Sequence, residues 1–203
     1  MPLRDETMGG NAPDESPVAL LIIDMINDLE YPGADDLFRH ACPMAEKIRD
    51  LRAQACAVGI PVIYVNDNFG KWRSDFNTLV RHCLTDDAWG KPIAELLQPG
   101  EADYFVLKPK NSGFFSTTLD VLLKHLRSKI LILTGIAGNN CILFTAADAY
   151  LRDYKLVVPS DCIASADPED NRQALAIMEK VLKADTKPST SLNLGELLRS
   201  ESR

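Results

Sequence analysis

Residues 129–154, KILILTGIAGNNCILFTAADAYLRDY, form the stretch that decides the predicted fold. Residues 130–133 are a continuous apolar run rich in branched side chains, which is typical of a parallel strand covered on both faces. Gly135 and Gly138 interrupt this run, and apolar residues then recur at helical spacing as far as Tyr150. The stretch therefore predicts a strand, a tight turn and a helix.

Cys141 falls in the first turn of this predicted helix, which Asn139 or Asn140 can cap. Unpaired backbone N–H groups and the helix dipole favour a thiolate at such a position. Cys141 is therefore a candidate nucleophile. Free cysteines are also commonly buried between a helix and a sheet, so the position alone leaves a packing role open.

The composition narrows the class of protein. The chain has 203 residues, and 46% of them are hydrophobic, which is enough for one sizeable core. A net charge of −7 without a strongly basic stretch argues against a nucleic-acid partner. No apolar run reaches the roughly 20 residues needed to cross a bilayer, and the N-terminus lacks the apolar core of a signal peptide. We therefore expect neither a membrane nor a nucleic acid as a partner.

The cysteines indicate a reducing compartment. They are odd in number and lack Cys-x-x-Cys spacing, which is typical of free thiols in a cytoplasmic protein rather than of a disulfide framework or a zinc cluster. They are Cys42, Cys56, Cys83, Cys141 and Cys162.

Predicted strands alternate with predicted helices along the chain. The strands are at 18–23, 60–65, 104–107, 130–133 and 155–158, with a short one near 184–186. The helices are at 36–58, 75–83, 93–97, 116–126 and 168–182, together with the helix that carries Cys141. The pattern predicts an α/β fold: a single-domain, doubly wound, Rossmann-like, mostly parallel sheet of five or six strands with helices on both faces. This domain spans 17–203 and follows a flexible N-terminal arm at 1–16.

Three reactive side chains end or follow strands of this sheet: Asp24 after the first, Lys108 after the third and Cys141 after the fourth. The carboxyl ends of parallel strands share one edge, where open α/β sheets bind ligands. A carboxylate can accept the thiol proton, and a nearby ammonium favours the thiolate. Together these groups are suited to acyl transfer to cysteine followed by hydrolysis.

Four segments in order resemble the isochorismatase-like cysteine hydrolase family. They are LLIIDMINDL at 20–29, VLKPKNSGF at 106–114, TGIAGNNC at 134–141 and TAADA at 145–149. None of them is decisive alone, but their order is specific, and the resemblance covers residues 17–190.

The resemblance implies roles for particular residues. Asp24 would take the proton from Cys141, Cys141 would attack the substrate carbonyl, and Lys108 would complete the catalytic triad. The Ile136–Ala137 peptide bond would be cis, and the backbone amides of Ala137 and Cys141 would form the oxyanion hole. Relatives commonly form dimers or tetramers, so the resemblance implies a homodimer or homotetramer.

The sequence also departs from the family. Nicotinamidases carry an Asp-x-His metal motif after the second strand, but residues 66–70 here read NDNFG. The histidines, none with metal-ligand spacing, are His40, His82 and His125. We therefore expect no metal and no other cofactor. Ile26 and Leu29 replace the usual glutamine and phenylalanine, so the pocket floor is expected to differ.

The sequence thus predicts a cysteine-dependent hydrolase that cleaves an amide or ureido (N-carbamoyl) C–N bond of a small molecule. Isochorismate hydrolases can lack the cysteine, so its retention favours C–N cleavage over the alternative, an isochorismate-type ether hydrolase. An idle binding or assembly member of the family and a redox sensor are further alternatives. Candidate pocket residues are Asn68, Phe69, Trp72 and Phe114.

Overall fold

Strand β1 (Val18–Ile23) lies at the centre of a six-stranded sheet in the computed structural model, which describes residues 15–85 and 87–200. The other strands are β2 (Val62–Asp67), β3 (Tyr104–Lys108), β4 (Ile130–Ile136), β5 (Lys155–Val157) and β6 (Ile163–Ala164). The helices are α1 (Ala34–Ala57), α2 (Phe76–Thr85), α3 (Lys91–Leu96), α4 (Leu119–His125), α5 (Leu143–Tyr150), α6 (Pro168–Lys180) and α7 (Leu194–Ser200).

The strand order is β3-β2-β1-β4-β5, with β6 paired to the end of β4, and every pairing is parallel. Leu21 of β1 is in register with Ile63 of β2 on one side and Leu133 of β4 on the other. The chain winds outward from β1 to β3 and then returns to the opposite side of β1. The connections therefore diverge between β1 and β4, which leaves a crevice at their carboxyl ends.

Alternate residues of β1 belong to different layers, and all six are fully buried. Leu20 and Ile22 pack in a core with residues of α1, α2, α3 and α7. Leu21 and Ile23 pack in a second core with residues of α4, α5 and α6. Burial on both faces explains why this strand is apolar throughout instead of alternating with polar residues. The predicted doubly wound α/β class is confirmed.

The second strand begins two residues later than expected, at Val62, and extends to Asp67. Helix α1 ends in a turn at Gly59, and the N–H of Ile60 still donates to the carbonyl of Ala55, 2.9 Å away. This hydrogen bond ties Ile60 to the helix end. At its other end β2 continues to Asp67, which was expected in a loop, because Asn66 and Asp67 pair with Leu107 and Lys108 of β3.

The C-terminal part of the sheet also differs from the prediction. The strand expected near 184–186 is only an isolated bridge between Val157 and Asp185, whereas the short sixth strand is Ile163–Ala164. A strand of two residues carries too little periodicity to recognise in a sequence. Helix α7, which the sequence did not predict, covers one core with Leu194.

The predicted N-terminal arm falls largely outside the described residues, since these begin at Glu15. Ser16, which the prediction placed in the arm, is buried, and its N–H donates to the carbonyl of Leu126, 2.8 Å away. Among the described residues, no helix combines the length and apolar character needed to span a membrane.

Gly135 of β4 marks the closest approach of two strands beside the crevice. Its φ is +117°, and a Cβ at this position would lie 2.0 Å from the carbonyl oxygen of Ile23. We expect Gly135→Ala to lower the free energy of unfolding by more than about 4 kcal/mol, because both backbones would have to move. Urea denaturation followed by circular dichroism measures this.

Gly70→Ala is the matched control, because Gly70 also has a positive φ, +69°, but a Cβ added there would have no neighbour within 4 Å. It should cost only about 1–2 kcal/mol, which is the strain of the left-handed conformation. Equal losses in the two variants would contradict the close-contact explanation for Gly135.

Candidate active site

Asp24 follows β1 directly and turns its carboxylate toward the strand ends. Its φ is +54°, and its N–H donates to the carbonyl of Val65, 2.9 Å away. The residue is only 5% exposed. Its Oδ1 accepts a hydrogen bond from the N–H of Asp67 at 2.7 Å. The carboxylate is therefore held in place by the backbone of the neighbouring strand.

Lys108 ends β3, and its side chain is completely buried. Its Nζ lies 2.9 Å from Asp24 Oδ2, 3.3 Å from Cys141 Sγ and 3.5 Å from Asp67 Oδ2. The structure thus brings together the three residues predicted from the sequence and adds a second carboxylate, Asp67.

The turn that carries Cys141 connects β4 to α5. The Ile136–Ala137 peptide bond is cis, as the family resemblance implied. Residues Gly138–Ile142 form one π-helical turn before α5 begins. Gly138 packs so closely on α6 that an added Cβ would lie 2.0 Å from Asn171 Oδ1. The turn is therefore braced against the adjoining helix.

The expected capping of this helix by an asparagine is wrong. The N-cap position is Ala137, and no side chain caps it. The Asn139 side chain instead donates to Asp170 Oδ2 at 3.0 Å, and its backbone N–H donates to Ser165 Oγ at 3.1 Å. The side chain of Asn140 accepts a hydrogen bond from Asn111 Nδ2. Both amides therefore link the turn to neighbouring segments.

The loop after Lys108 is also fastened to the helix that follows Cys141. Ser112 Oγ donates to Asp148 Oδ2, and the N–H of Gly113 donates to Thr145 Oγ1 at 2.9 Å. Thr145 and Asp148 both belong to α5. These bonds couple the position of the ammonium to the position of the thiol.

The charges of the three central groups are strongly coupled. Burial raises the pKa of Asp24, although Lys108 opposes this effect. Burial tends to lower the pKa of Lys108, but the interactions with Asp24, Cys141 and Asp67, of which that with Asp24 is the largest, outweigh it and leave that pKa raised. Burial, together with the nearby Asp24 carboxylate, raises the pKa of the Cys141 thiol to about 12. The site therefore holds a thiol beside a comparatively basic carboxylate and an ammonium.

This state differs from the thiolate expected from the sequence. The start of a helix favours a thiolate, but burial and the Asp24 carboxylate both disfavour a negative charge on Cys141. In this arrangement Asp24 can accept the thiol proton as the sulfur reacts.

The candidate pocket residues lie in three different environments. Asn68 and Phe69 line a cavity of about 170 Å³ together with Asp67 and Leu107. Their contact with a substrate stays a prediction. Trp72 is 76% exposed and lies in an open depression that adjoins this cavity and shares Lys71, Ser74 and Thr78 with it.

Phe114 belongs to the core instead of a pocket wall. It is 4% exposed, and its ring lies beside that of Tyr154, with a centroid separation of 6.0 Å. The guanidinium of Arg152 covers the ring at 4.8 Å. An aromatic residue beside a polar loop has the same sequence signature in either environment, which is why the sequence did not separate them.

Sequence reasoning underrated two residues near the site. It considered Asp67 only within a polar loop, although Asp67 resembles Asp24 in ending an apolar strand. Tyr31 was not among the candidate site residues. Partial burial raises the pKa of the Tyr31 phenol, and the Asp24 carboxylate raises it further.

Asp67, at the place of the nicotinamidase metal motif, and His82, which lines the same cavity, both face other side chains. Asp67 lies beside the Lys108 ammonium, and His82 Nε2 lies 3.1 Å from Asp28 Oδ2. Within 15–85 and 87–200, no group of three or more His, Cys, Asp or Glu side chains is arranged to hold a metal ion.

The fold and the site define a doubly wound α/β protein with a cysteine, lysine and aspartate cluster at its topological switch point. Residues 18–186 match the family model described as the Isochorismatase domain. The chain belongs to the isochorismatase family, which confirms the resemblance found in its sequence motifs.

Three relatives illustrate this membership. The chain is 43% identical to the uncharacterized isochorismatase family protein YaaI of Bacillus subtilis over 82% of its length and 91% of that protein. It is 29% identical to the ureidoacrylate amidohydrolase RutB of Cronobacter sakazakii, over 80% of each chain. The crystal structure of N-carbamoylsarcosine amidase from Thermoplasma acidophilum superposes with a TM-score of 0.68 at 26% identity, covering 87% of this chain and 98% of that one.

The raised thiol pKa makes a prediction for alkylation. Because the pKa of Cys141 is raised to about 12, little thiolate exists at pH 7–8 in the substrate-free protein. Its alkylation by iodoacetamide should be slow there and should rise by about tenfold per pH unit up to pH 10. Mass spectrometry of peptides from a timed reaction measures this rate.

Cys56 provides the internal reference in the same sample, because it is exposed on α1. We expect Cys56 to be labelled before Cys141 at pH 7.5. Faster labelling of Cys141 at this pH would show a preformed thiolate and contradict the electrostatic account.

Proposed function

We propose that this protein is a cysteine hydrolase that cleaves the C–N bond of an N-carbamoyl (ureido) or related amide group in a small molecule. The observation that carries the proposal is the contact of one buried ammonium, Lys108, with both the Asp24 carboxylate and the Cys141 thiol, at 2.9 and 3.3 Å. A nucleophile and a base held by a third group are the recurring elements of covalent catalysis.

In the first half-reaction, the Cys141 thiol gives its proton to Asp24 as its sulfur attacks the substrate carbonyl. A C–S bond forms, and the carbonyl electron pair moves to oxygen. The backbone N–H groups of Ala137 and Cys141 would stabilise this oxyanion. The tetrahedral intermediate then collapses, the C–N bond breaks, and Asp24 returns its proton to the leaving nitrogen. The products are an amine or ammonia and an acyl group on the sulfur of Cys141, which is a thioester from an amide and a thiocarbamate from an N-carbamoyl group.

In the second half-reaction, water attacks the thioester carbonyl and gives its proton to Asp24. Collapse of this second intermediate breaks the C–S bond, and the proton passes from Asp24 to the sulfur of Cys141. The acid product leaves, and the thiol is regenerated. Lys108 remains an ammonium throughout and balances the negative charge that moves between Asp24, sulfur and oxyanion.

The relatives favour the ureido class over other amides. RutB acts on ureidoacrylate, and the superposed amidase acts on N-carbamoylsarcosine, according to their names. Both compounds contain an N-carbamoyl group. We propose the same group as the reacting part of this protein's substrate.

A screen for released ammonia tests the substrate class. The compounds are ureidoacrylate, N-carbamoylsarcosine, further N-carbamoyl amino acids and simple primary amides. Isochorismate represents ether hydrolysis and is followed by release of pyruvate, because cleavage of its enolpyruvyl ether liberates no ammonia. Turnover of N-carbamoyl compounds would support the proposal. Turnover of isochorismate alone, or of no compound in a well-folded preparation, would count against it.

The nucleophile is tested by Cys141→Ala. We expect turnover to disappear while folding is nearly unchanged, since only one sulfur atom is removed from a partly exposed position. Cys56→Ala is the matched control and should retain activity, because Cys56 is an exposed cysteine of α1. A thioester on Cys141, trapped by acid quenching and found by mass spectrometry, would support the mechanism directly, and normal turnover of Cys141→Ala would refute it.

The two charged partners are tested separately. Asp24→Asn and Lys108→Ala should each lower kcat by at least about a hundredfold, the usual effect of a positioned acid–base group. Lys110→Ala is the control for lysine removal, because Lys110 lies two residues after Lys108, beyond the end of β3, and is exposed. If either site variant kept the wild-type kcat, that residue would have no part in the proposed chemistry.

The proposed chemistry requires no metal. Activity should therefore survive prolonged dialysis against EDTA, since Asp67, the carboxylate at the place of the nicotinamidase motif, already faces the Lys108 ammonium at 3.5 Å. Elemental analysis should find no stoichiometric zinc in the active protein. Activity that disappears on chelation and returns with added zinc would overturn this part of the proposal.

A further inference from the structure

The Lys108 ammonium has two carboxylate neighbours, but the proposed proton transfer uses only one. Asp24 Oδ2 lies 2.9 Å from Nζ, and Asp67 Oδ2 lies 3.5 Å from it. Both distances are measured from the same atom, Nζ of Lys108, and the side chain of Lys108 is completely buried. The second carboxylate therefore calls for a physical explanation.

Proton transfer changes the charge balance around the lysine. While Asp24 carries the thiol proton, it is neutral, and the negative charge has moved to the substrate oxyanion at the backbone N–H groups of the turn. The nearest counter-ion of Lys108 is then lost. An unpaired ammonium in a buried position is strongly disfavoured, so without another anion Lys108 would tend to lose its own proton.

We propose that Asp67 is a positioning residue for catalysis: a second counter-ion that keeps Lys108 protonated during the steps in which Asp24 is neutral. This role rests on the proposed function, because it presupposes that Asp24 accepts the proton of Cys141.

The local geometry suits this role. Asp67 Oδ1 accepts a hydrogen bond from the N–H of Phe69 at 2.7 Å, which fixes the carboxylate and leaves Oδ2 directed at Lys108. The Asp67 side chain is 34% exposed, whereas that of Asp24 is 8% exposed. Burial disfavours the charged form of a carboxylate, and it raises the pKa of Asp24, so Asp24 is well suited to accept the proton.

The same residue also positions the base. The backbone N–H of Asp67 donates to Asp24 Oδ1 at 2.7 Å. Asp67 therefore holds the Asp24 carboxylate with its backbone and contacts Lys108 with its side chain. The charged or titratable groups that act on Lys108 are Asp24, Asp67 and Cys141. These groups come from the ends of β1 and β2 and from the turn before α5. Tyr31 interacts electrostatically with Asp24 and Cys141.

The test measures the protonation of Lys108 directly and needs no substrate. Protein labelled with ¹³C at lysine Cε is titrated by NMR, and the Lys108 signal is assigned by its absence from Lys108→Arg. Asp24→Asn serves as the mimic of the neutral carboxyl group. Adding Asp67→Asn to this variant should lower the midpoint of the Lys108 titration by at least about one pH unit.

Asp67→Asn is a conservative change, because its amide oxygen can still accept the hydrogen bond from Phe69 and its backbone N–H still reaches Asp24. Asp75→Asn is the matched control. Asp75 is another carboxylate at the same cavity, and it accepts a hydrogen bond from the N–H of Thr78 instead of contacting Lys108. Added to the Asp24→Asn variant in the same way, Asp75→Asn should leave the midpoint of the Lys108 titration unchanged.

An equal Lys108 midpoint in Asp24→Asn and in the double variant would overturn the proposal, as would an equal shift in the Asp75 control. If the double variant does not fold, the comparison of Asp67→Asn with wild type decides in the same way. The outcome is separate from the test of the proposed function, because an active Cys141→Ala variant would refute the mechanism whatever the Lys108 titration shows.

Discussion

The buried ion pair between Lys108 and Asp24 is the interaction on which the site depends. Its side chains are 0% and 8% exposed, so both charges lose most of their hydration. Burying an ion pair stabilises a protein little by itself, but removal of one partner leaves an uncompensated charge that costs about 3–5 kcal/mol. The backbone N–H and carboxylate of Asp67 complete the arrangement. The pair can form only where the ends of three adjacent strands lie at one edge of the sheet.

The sheet topology supplies that edge. Because β1 pairs with β2 on one side and with β4 on the other, Asp24 lies between the strand that leads to Asp67 and the strand that leads to Cys141. Gly135 allows β4 to approach Ile23 closely, which brings the turn before α5 to the end of β1. Fold and site are therefore linked by backbone contacts as well as by side chains, and a change in the β1–β4 spacing would separate thiol from carboxylate.

Electrostatics determine how this cysteine would react. A thiolate prepared in advance would need a site in which positive charge prevails, but Cys141 lies next to a carboxylate as well as an ammonium and is partly buried. Proton transfer to Asp24 at the moment of attack avoids two adjacent negative charges. Under the proposed mechanism the reactivity of the thiol would then depend on a substrate carbonyl being present, and this would protect the resting cysteine from other electrophiles.

The sequence by itself predicted the layering and pointed to Asp24, Lys108 and Cys141, because apolar runs, strand ends and a glycine-containing turn are local signals and the ordered motifs resemble one family. Only the tertiary structure showed that Asp67 shares the Lys108 ammonium and that Phe114 lies in the core. It also placed Cys141 in a largely buried position beside the Asp24 carboxylate, which raises the pKa of the thiol, whereas the helix-start pattern favoured a thiolate. The physical reason is that hydration and charge–charge interactions act across space. Burial and the separation of residues distant in the chain set their strength, and neither quantity is written in the local pattern of a sequence.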